Sequence, residues 1–221
     1  MSADEIAQVH ALTGKAELLL AKGHVVRAAE YYGRAAEVAR ALGDDNLVAV
    51  ELQLRRGDSL LAYCVAPLKA PLEGVAFDPR IIAASRVEAI SLLSGAVEAL
   101  ERRRVAGTLL GGKCTAIEEA WRADAIQRRS KQTTAIGAAS LATLFGYSTF
   151  LFAASIAVDV LRSIHLFPAE CSAGQLQSFA RHATHAATLM EQPRLLGIPV
   201  SHESVRGCAS RHCCCRECKR A

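Results

Sequence analysis

The sequence predicts an all-α protein, an antiparallel stack of helix hairpins with about seven helices. Three observations point there. Alanine and leucine, both strong helix formers, dominate the apolar residues, and only six prolines interrupt 221 residues. Apolar positions recur at steps of three and four, the period of one helix face. Short Val/Ile/Thr-rich runs bounded by turn signals, the mark of an all-β chain, do not occur in series. With 51% hydrophobic and 22% charged residues, the chain has material for a sizeable core in one domain or one continuous stack.

The first helix is expected over 4–22, and Gly23 suits the left-handed position after a helix end. The second runs over 25–42, with a stripe at Ala28, Tyr32, Ala35, Ala39 and Leu42. Gly43 stops it, and Asp44, Asp45 or Asn46 caps the third helix, over 46–63, which carries Leu47, Val50, Leu54, Gly57 and Leu61. "VAPLKAPLEGVAFDP" holds half of the prolines and reads as a long loop. Asp78 as N-cap and Pro79 at the first helical position open the fourth helix. It presents Ile90, Leu93, Val97 and Leu100 and ends near Val105. A fifth helix is expected over 113–130, aligning Cys114, Ile117 and Trp121, a sixth over 132–158, and a seventh over 173–191. The seventh carries Leu176, Phe179, Ala183, Ala186 and Met190. The helical domain is placed at 1–192, and 193–221 reads as an irregular arm with a basic, cysteine-rich tail.

The first hairpin places a large residue at Leu12, a small one at Ala16, a bulky one at Leu19, a turn at Gly23, then Ala28, Tyr32 and Ala35. This pattern over 9–42 resembles a tetratricopeptide repeat. Alanines at 16 and 28 let two helix backbones approach closely, and Leu19 and Tyr32 fill the adjoining space. Lys15 stands where the family favours Leu, and no proline closes the repeat. The 34-residue period is lost after the long loop, so the later helices are similar to the family in architecture only. The resemblance implies a superhelix that binds a protein or peptide in a groove lined by the first helix of each pair. His10, Glu17 and Lys22, with Gln53 from the third helix, are the groove candidates. Thr13 and Glu17 stand where some members of the family hold a partner's C-terminal carboxylate with Lys and Asn, so that subtype is not implied.

The formal charge of +4 belongs to the tail. Arg206, Arg211, Arg216, Lys219 and Arg220 against Glu217 leave 21 basic and 21 acidic residues in the rest. A balanced body supplies no excess for a nucleic-acid face, and no nucleic-acid partner is expected. "MSADEIAQVH" has no apolar core of a signal peptide, and Ser2 rather than Gly follows Met1, against myristoylation. Cys64, Cys114 and Cys171 are widely spaced and read as reduced, buried thiols of a cytoplasmic protein. From Gln132 to Val158 no charge occurs. The stretch 133–158 is long enough to span a bilayer, but its many Ala, Ser, Thr and Gly residues favour a central packed helix.

No catalytic constellation emerges, and neither an enzyme nor a cofactor is expected. "GTLLGGK" satisfies a phosphate loop up to Lys113, but Cys114 replaces Ser or Thr and the preceding segment is helical. His182 and His185 share a helix face and could begin a metal site, though exposed polar positions explain them more simply. Glu118 and Glu119 point about 100° apart and read as a solvated face in a helix's first turns. The arginines of "LERRR" at a helix C-terminus complement its dipole. The tail has three readings. Cys215 and Cys218, completed by Cys208 and His212 or Cys213, could hold zinc. Cys213, Cys214 and Cys215 among basic residues could carry acyl chains and attach the chain to a membrane. An extension without a defined role is the third.

Overall fold

The computed structural model describes residues 3–42, 46–69, 78–107, 109, 118, 120–121, 138–164 and 170–191. Among these, all regular structure is helical, in six helices rather than seven. They are α1 (Ala3–Ala21), α2 (Val25–Ala41), α3 (Leu47–Lys69), α4 (Pro79–Val105), α5 (Ala138–Ser163) and α6 (Ala173–Glu191). The expected fifth helix over 113–130 lies outside the described residues, save for Glu118, Ala120 and Trp121, which are helical. Residues 193–221, with every candidate ligand and acylation site of the tail, also lie outside them.

Local chemistry sets the helix ends. Gly23 takes φ +78° after α1, His24 N–H donates to Leu19 at 2.9 Å and Gly23 N–H to Leu20 at 2.9 Å. These are the paired bonds that satisfy orphan carbonyls at a helix C-terminus, and glycine makes the left-handed residue cheap. Of the three candidate caps, Asn46 starts α3. Its Oδ1 accepts from Ala49 N–H at 2.8 Å while its Nδ2 donates to Ala39 O at 2.6 Å, so one amide serves the end of α2 and the start of α3. Asp78 accepts from Arg80 N–H at 2.8 Å ahead of Pro79. Gly107, with φ +69°, ends α4, so the stretch "GTLLGGK" follows a helix, as expected; its residues 108 and 110–113 lie outside the described residues. A reciprocal cap opens α6: Ser172 Oγ accepts from Gln175 N–H at 3.2 Å, and Gln175 Oε1 accepts from Ser172 N–H at 2.9 Å.

Two boundaries differ from the sequence reading. Helix α3 continues to Lys69 instead of stopping at 63. Cys64 and Val65 are buried, Val65 in the core shared with α4, and tertiary burial overrides the proline signal at Pro67. Helix α5 continues past the end of the uncharged run to Ser163, because Val160 is buried while Asp159 and Arg162 face water. The charges therefore ride on its solvent side.

Helix α1 packs on α2, α2 on α3 and α3 on α4, each on its neighbour in sequence. Helices α5 and α6 form a second pair against α3 and α4. Two apolar clusters result. One joins α1, α2 and one face of α3 through Val9, Ala16, Ala28, Tyr32, Ala35, Val48 and Leu52, with Leu19 beside them. Ala16 and Ala28, the small residues of the first hairpin, are both fully buried there. The other joins the opposite face of α3 to α4, α5 and α6 through Leu54, Ile90, Leu93, Leu100, Phe150 and Phe179. At Gly57 an added Cβ would stand 2.7 Å from Leu93 Cδ2, so the α3–α4 seam requires glycine.

The uncharged stretch is thus a packed helix where it is described, with Phe150, Ala153, Ala157 and Val160 wholly buried. Among the described residues, no helix is long and apolar enough to cross a membrane.

Candidate functional site

Helices α1 and α3 share a half-exposed polar face. Glu51 on α3 accepts from Arg55 Nε and Nη2 at 2.9 and 2.7 Å through Oε1. Residues four apart share a helix face, so this pair is preorganised by α3 itself. Arg55 Nη1 reaches Glu17 Oε1 on α1 at 3.5 Å, and its guanidinium also bonds the Tyr32 hydroxyl beneath. Burial pushes Tyr32 above its ordinary pKa, with Arg55 opposing, so the phenol stays protonated. Glu51 Oε2 accepts from Trp121 Nε1 at 3.2 Å, and the indole stacks on His10 of α1, ring centroids 5.0 Å apart. The result is a row of two carboxylates and one guanidinium across adjacent helices, closed at one end by an indole.

Of the four groove candidates, the structure brings two into this row. His10 and Glu17 are seven residues apart, two turns, and lie on the same side of α1. Glu17 keeps 42% of its side chain exposed. Lys22 lies beyond the end of α1 and is exposed. Gln53 is two residues from both Glu51 and Arg55, about 160° round the helix from each. It therefore falls outside the row that Glu51 and Arg55 form with Glu17. Neither was legible without knowing which side of α3 faces α1.

Trp121 and Glu118 reach this region from the chain after α4. Trp121, 6% exposed, belongs to the α1–α3 core. Glu118 is 1% exposed, which corrects its reading as part of a solvated face. Its Oε1 accepts from Leu47 N–H at 2.7 Å, at the positive end of α3, and from Arg103 Nη1 at 3.2 Å, at the negative end of α4. The carboxylate is buried because a helix terminus and a guanidinium meet it there. One of the "LERRR" arginines thus does more than complement its own helix dipole.

A second polar cluster lies inside the other half. Glu101 of α4 receives His182 Nδ1 at 2.8 Å on Oε1, and His185 Nδ1 at 2.9 Å and Arg104 Nε at 2.8 Å on Oε2. His182 Nε2 lies 3.2 Å from Phe150 O, and its ring packs 4.2 Å from the Phe150 ring. His182 has no exposure at all, which corrects the expectation that both histidines are exposed; His185 is half-buried. The shared helix face is as expected, and the two imidazoles converge on one carboxylate.

The electrostatics follow from burial and bonding. Burial alone would raise Glu101, but the bonds from Arg104, His182 and His185 together outweigh it and hold the carboxyl below its usual range. For His182, burial is the largest influence and lowers its pKa, against Glu101 and the Phe150 carbonyl. That carbonyl would accept a second proton from the ring. One such bond is worth about 1 kcal/mol, whereas a charge taken out of water costs several. Bonding and burial therefore act on His182 in opposite directions, since both ring nitrogens face acceptor oxygens.

The remaining candidates are quieter. Burial pushes the Cys64 thiol up to about 11, so it stays protonated and bonded toward Ile82 O. Cys171 is buried and likewise raised by burial, and both cysteines are free thiols, as expected. Cys114 lies outside the described residues. Among the described residues, no group of three or more His, Cys, Asp or Glu side chains is arranged to hold a metal ion. No family model, curated protein or solved structure matches this chain.

Proposed function

We propose that this chain is a non-catalytic interaction scaffold of tetratricopeptide-like type, presenting the α1–α3 face to a protein or peptide partner. The observation that carries the reading is the Glu17–Arg55–Glu51 row. It crosses between the first helices of two consecutive hairpins, where the resemblance places a groove. Its charges are held in place but only partly desolvated, the condition in which they steer and select a partner. The closing Trp121–His10 stack sets one end of the surface.

The test is affinity capture with the full chain, beside Glu17→Arg, Arg55→Glu and a control, Ser91→Arg, on the exposed side of α4. Partners lost by both groove variants and kept by the control support the reading. Retention by all three, with circular dichroism unchanged, removes it.

The sequence of the tail favours a second reading. Acyl chains on Cys213, Cys214 and Cys215 beside five basic residues would supply the two signals needed for stable attachment to an anionic membrane. The same preparation, fractionated beside a version lacking residues 205–221, decides it. Equal recovery of both versions in the soluble fraction ends that reading.

A further inference from the structure

We propose that the outer face of α4 is a self-association surface, on which a second copy of this chain packs its own α4 antiparallel. The face is the one turned away from Ile90, Leu93 and Leu100 of the core. Along it lie Arg80, Ala84, Val87, Ser91, Gly95 and Glu98, all exposed. Steps of three and four keep them on one side of the helix. An exposed helix face ordinarily carries charge along its length. This one carries charge at its two ends and none between them, where Val87 keeps 55% of its surface open.

The nearby charges of α4 are used inside the fold. Arg86 pairs with Glu170 at 3.1 Å, and Glu88 pairs with Arg56 of α3. The two ends differ. Among the described residues, neither Arg80 nor Glu98 is in an ion pair. Arg80 gives its backbone N–H to the Asp78 cap, and Glu98 accepts from the Ser94 hydroxyl at 3.3 Å. A guanidinium and a carboxylate thus bound an uncharged strip.

Their placement names the occupant and its direction. Arg80 and Glu98 are 18 residues apart, which is five turns, or about 27 Å. They stand at the same angle round the helix, at equal distances from the level of Ala89. A two-fold axis at that level brings Arg80 of one copy to Glu98 of the other, twice, and Val87 to Ser91, twice. A parallel pair would set arginine on arginine and glutamate on glutamate. The charges therefore select an antiparallel copy. The crossing is shallow, about 20°, because a steep one would carry the charged ends out of reach of each other. Ser91 and Gly95 leave the room that Val87 of the facing helix fills. Arg102, one turn beyond Glu98, comes level with the facing helix's start, where Asp78 is the cap. One helix face is small beside the roughly 1,200–2,000 Å² of a lasting interface, so the association is weak and concentration-dependent.

Sedimentation equilibrium of the full chain tests this, under reducing conditions so that the tail cysteines cannot cross-link it. Between about 5 and 500 µM the mass should rise from monomer toward dimer, as suits an interface of that size. Ser91→Arg sets like charges at the crossing point and should abolish the rise. Arg80→Glu alone and Glu98→Arg alone should each weaken association about tenfold, since each turns two attractions into repulsions. Mixed in equal amounts, those two chains complement each other at both ends, and the mixture should regain the natural affinity. The three positions are exposed, and circular dichroism checks that each variant keeps its fold. Ser91→Arg leaves Glu17 and Arg55 as they are, so this outcome is separate from that of the groove. Monomer at every concentration, a rise that Ser91→Arg leaves intact, or a mixture no tighter than its components would each overturn the pairing.

Discussion

The two halves of the molecule bury polarity differently, although one helix, α3, serves both. The α1–α2 half packs small: alanines at 16, 28, 35 and 39 line the core round Tyr32, and its Glu17–Arg55 pair stays near the surface. The α4–α6 half packs large, with Leu93, Leu100, Phe150 and Phe179, and takes a histidine into that core. Close backbone approach leaves no room for an imidazole and its partners. Long side chains hold helices apart, and the space between can be lined by a polar network provided every member finds a partner. The comparison teaches that Glu17, at the surface, can change its charge without touching the core, whereas the Glu101–His182 pair cannot.

The strongest way to break this comparison is at the join. Trp121→Ala removes the indole from the α1–α3 core and leaves Glu51 and His10 without it. A loss of about 3–5 kcal/mol is expected by denaturant unfolding. The first half should fall most, with exchange protection of 5–40 collapsing ahead of 173–191. If both halves fall together, they are one cooperative unit and the division fails. Next is the seam. Gly57→Ala gains helix propensity but forces Cβ against Leu93 in a packed core. A net loss of about 1–2 kcal/mol is expected, and the α3–α4 contact should loosen without any pH dependence. A stabilised variant would mean that the seam has slack. The smallest effect belongs to the surface. Glu17→Gln breaks the 3.5 Å pair with Arg55, in which both side chains are about one-third or more exposed. Stability should change by less than about 1 kcal/mol. A larger change would place that row within the fold rather than on a binding surface.

Particular residues show how much was legible. Gly23, Asp78 and Pro79 were read correctly because their roles are local: a left-handed turn, a side-chain cap, a fixed φ. The stripe at Ala28, Tyr32, Ala35 and Ala39 was legible because burial on one helix face has a fixed period. The capping box at Ser172 and Gln175 was equally present in the sequence, and the spacing alone could have found it. His182 also carried a signal. Phe179, His182 and Ala186 are spaced by three and four, so the histidine lies within the apolar stripe. Its polar type concealed that position, since a buried imidazole makes sense only once Glu101 is beside it. Glu118 is the harder case. Nothing near it in the chain provides the start of α3 or Arg103.

By itself the sequence determined the helical class, most helix ends and which faces turn inward. Each of these depends on groups within about one or two turns of one another, and periodicity records them. Tertiary structure decided which faces meet. It set Glu17 against Arg55 across 38 residues, Leu47 against Glu118 across 71 and Glu101 against His182 across 81. The physical reason is that a buried charge is tolerable only beside its partner. Such a residue reads as exposed until the fold delivers that partner from elsewhere in the chain.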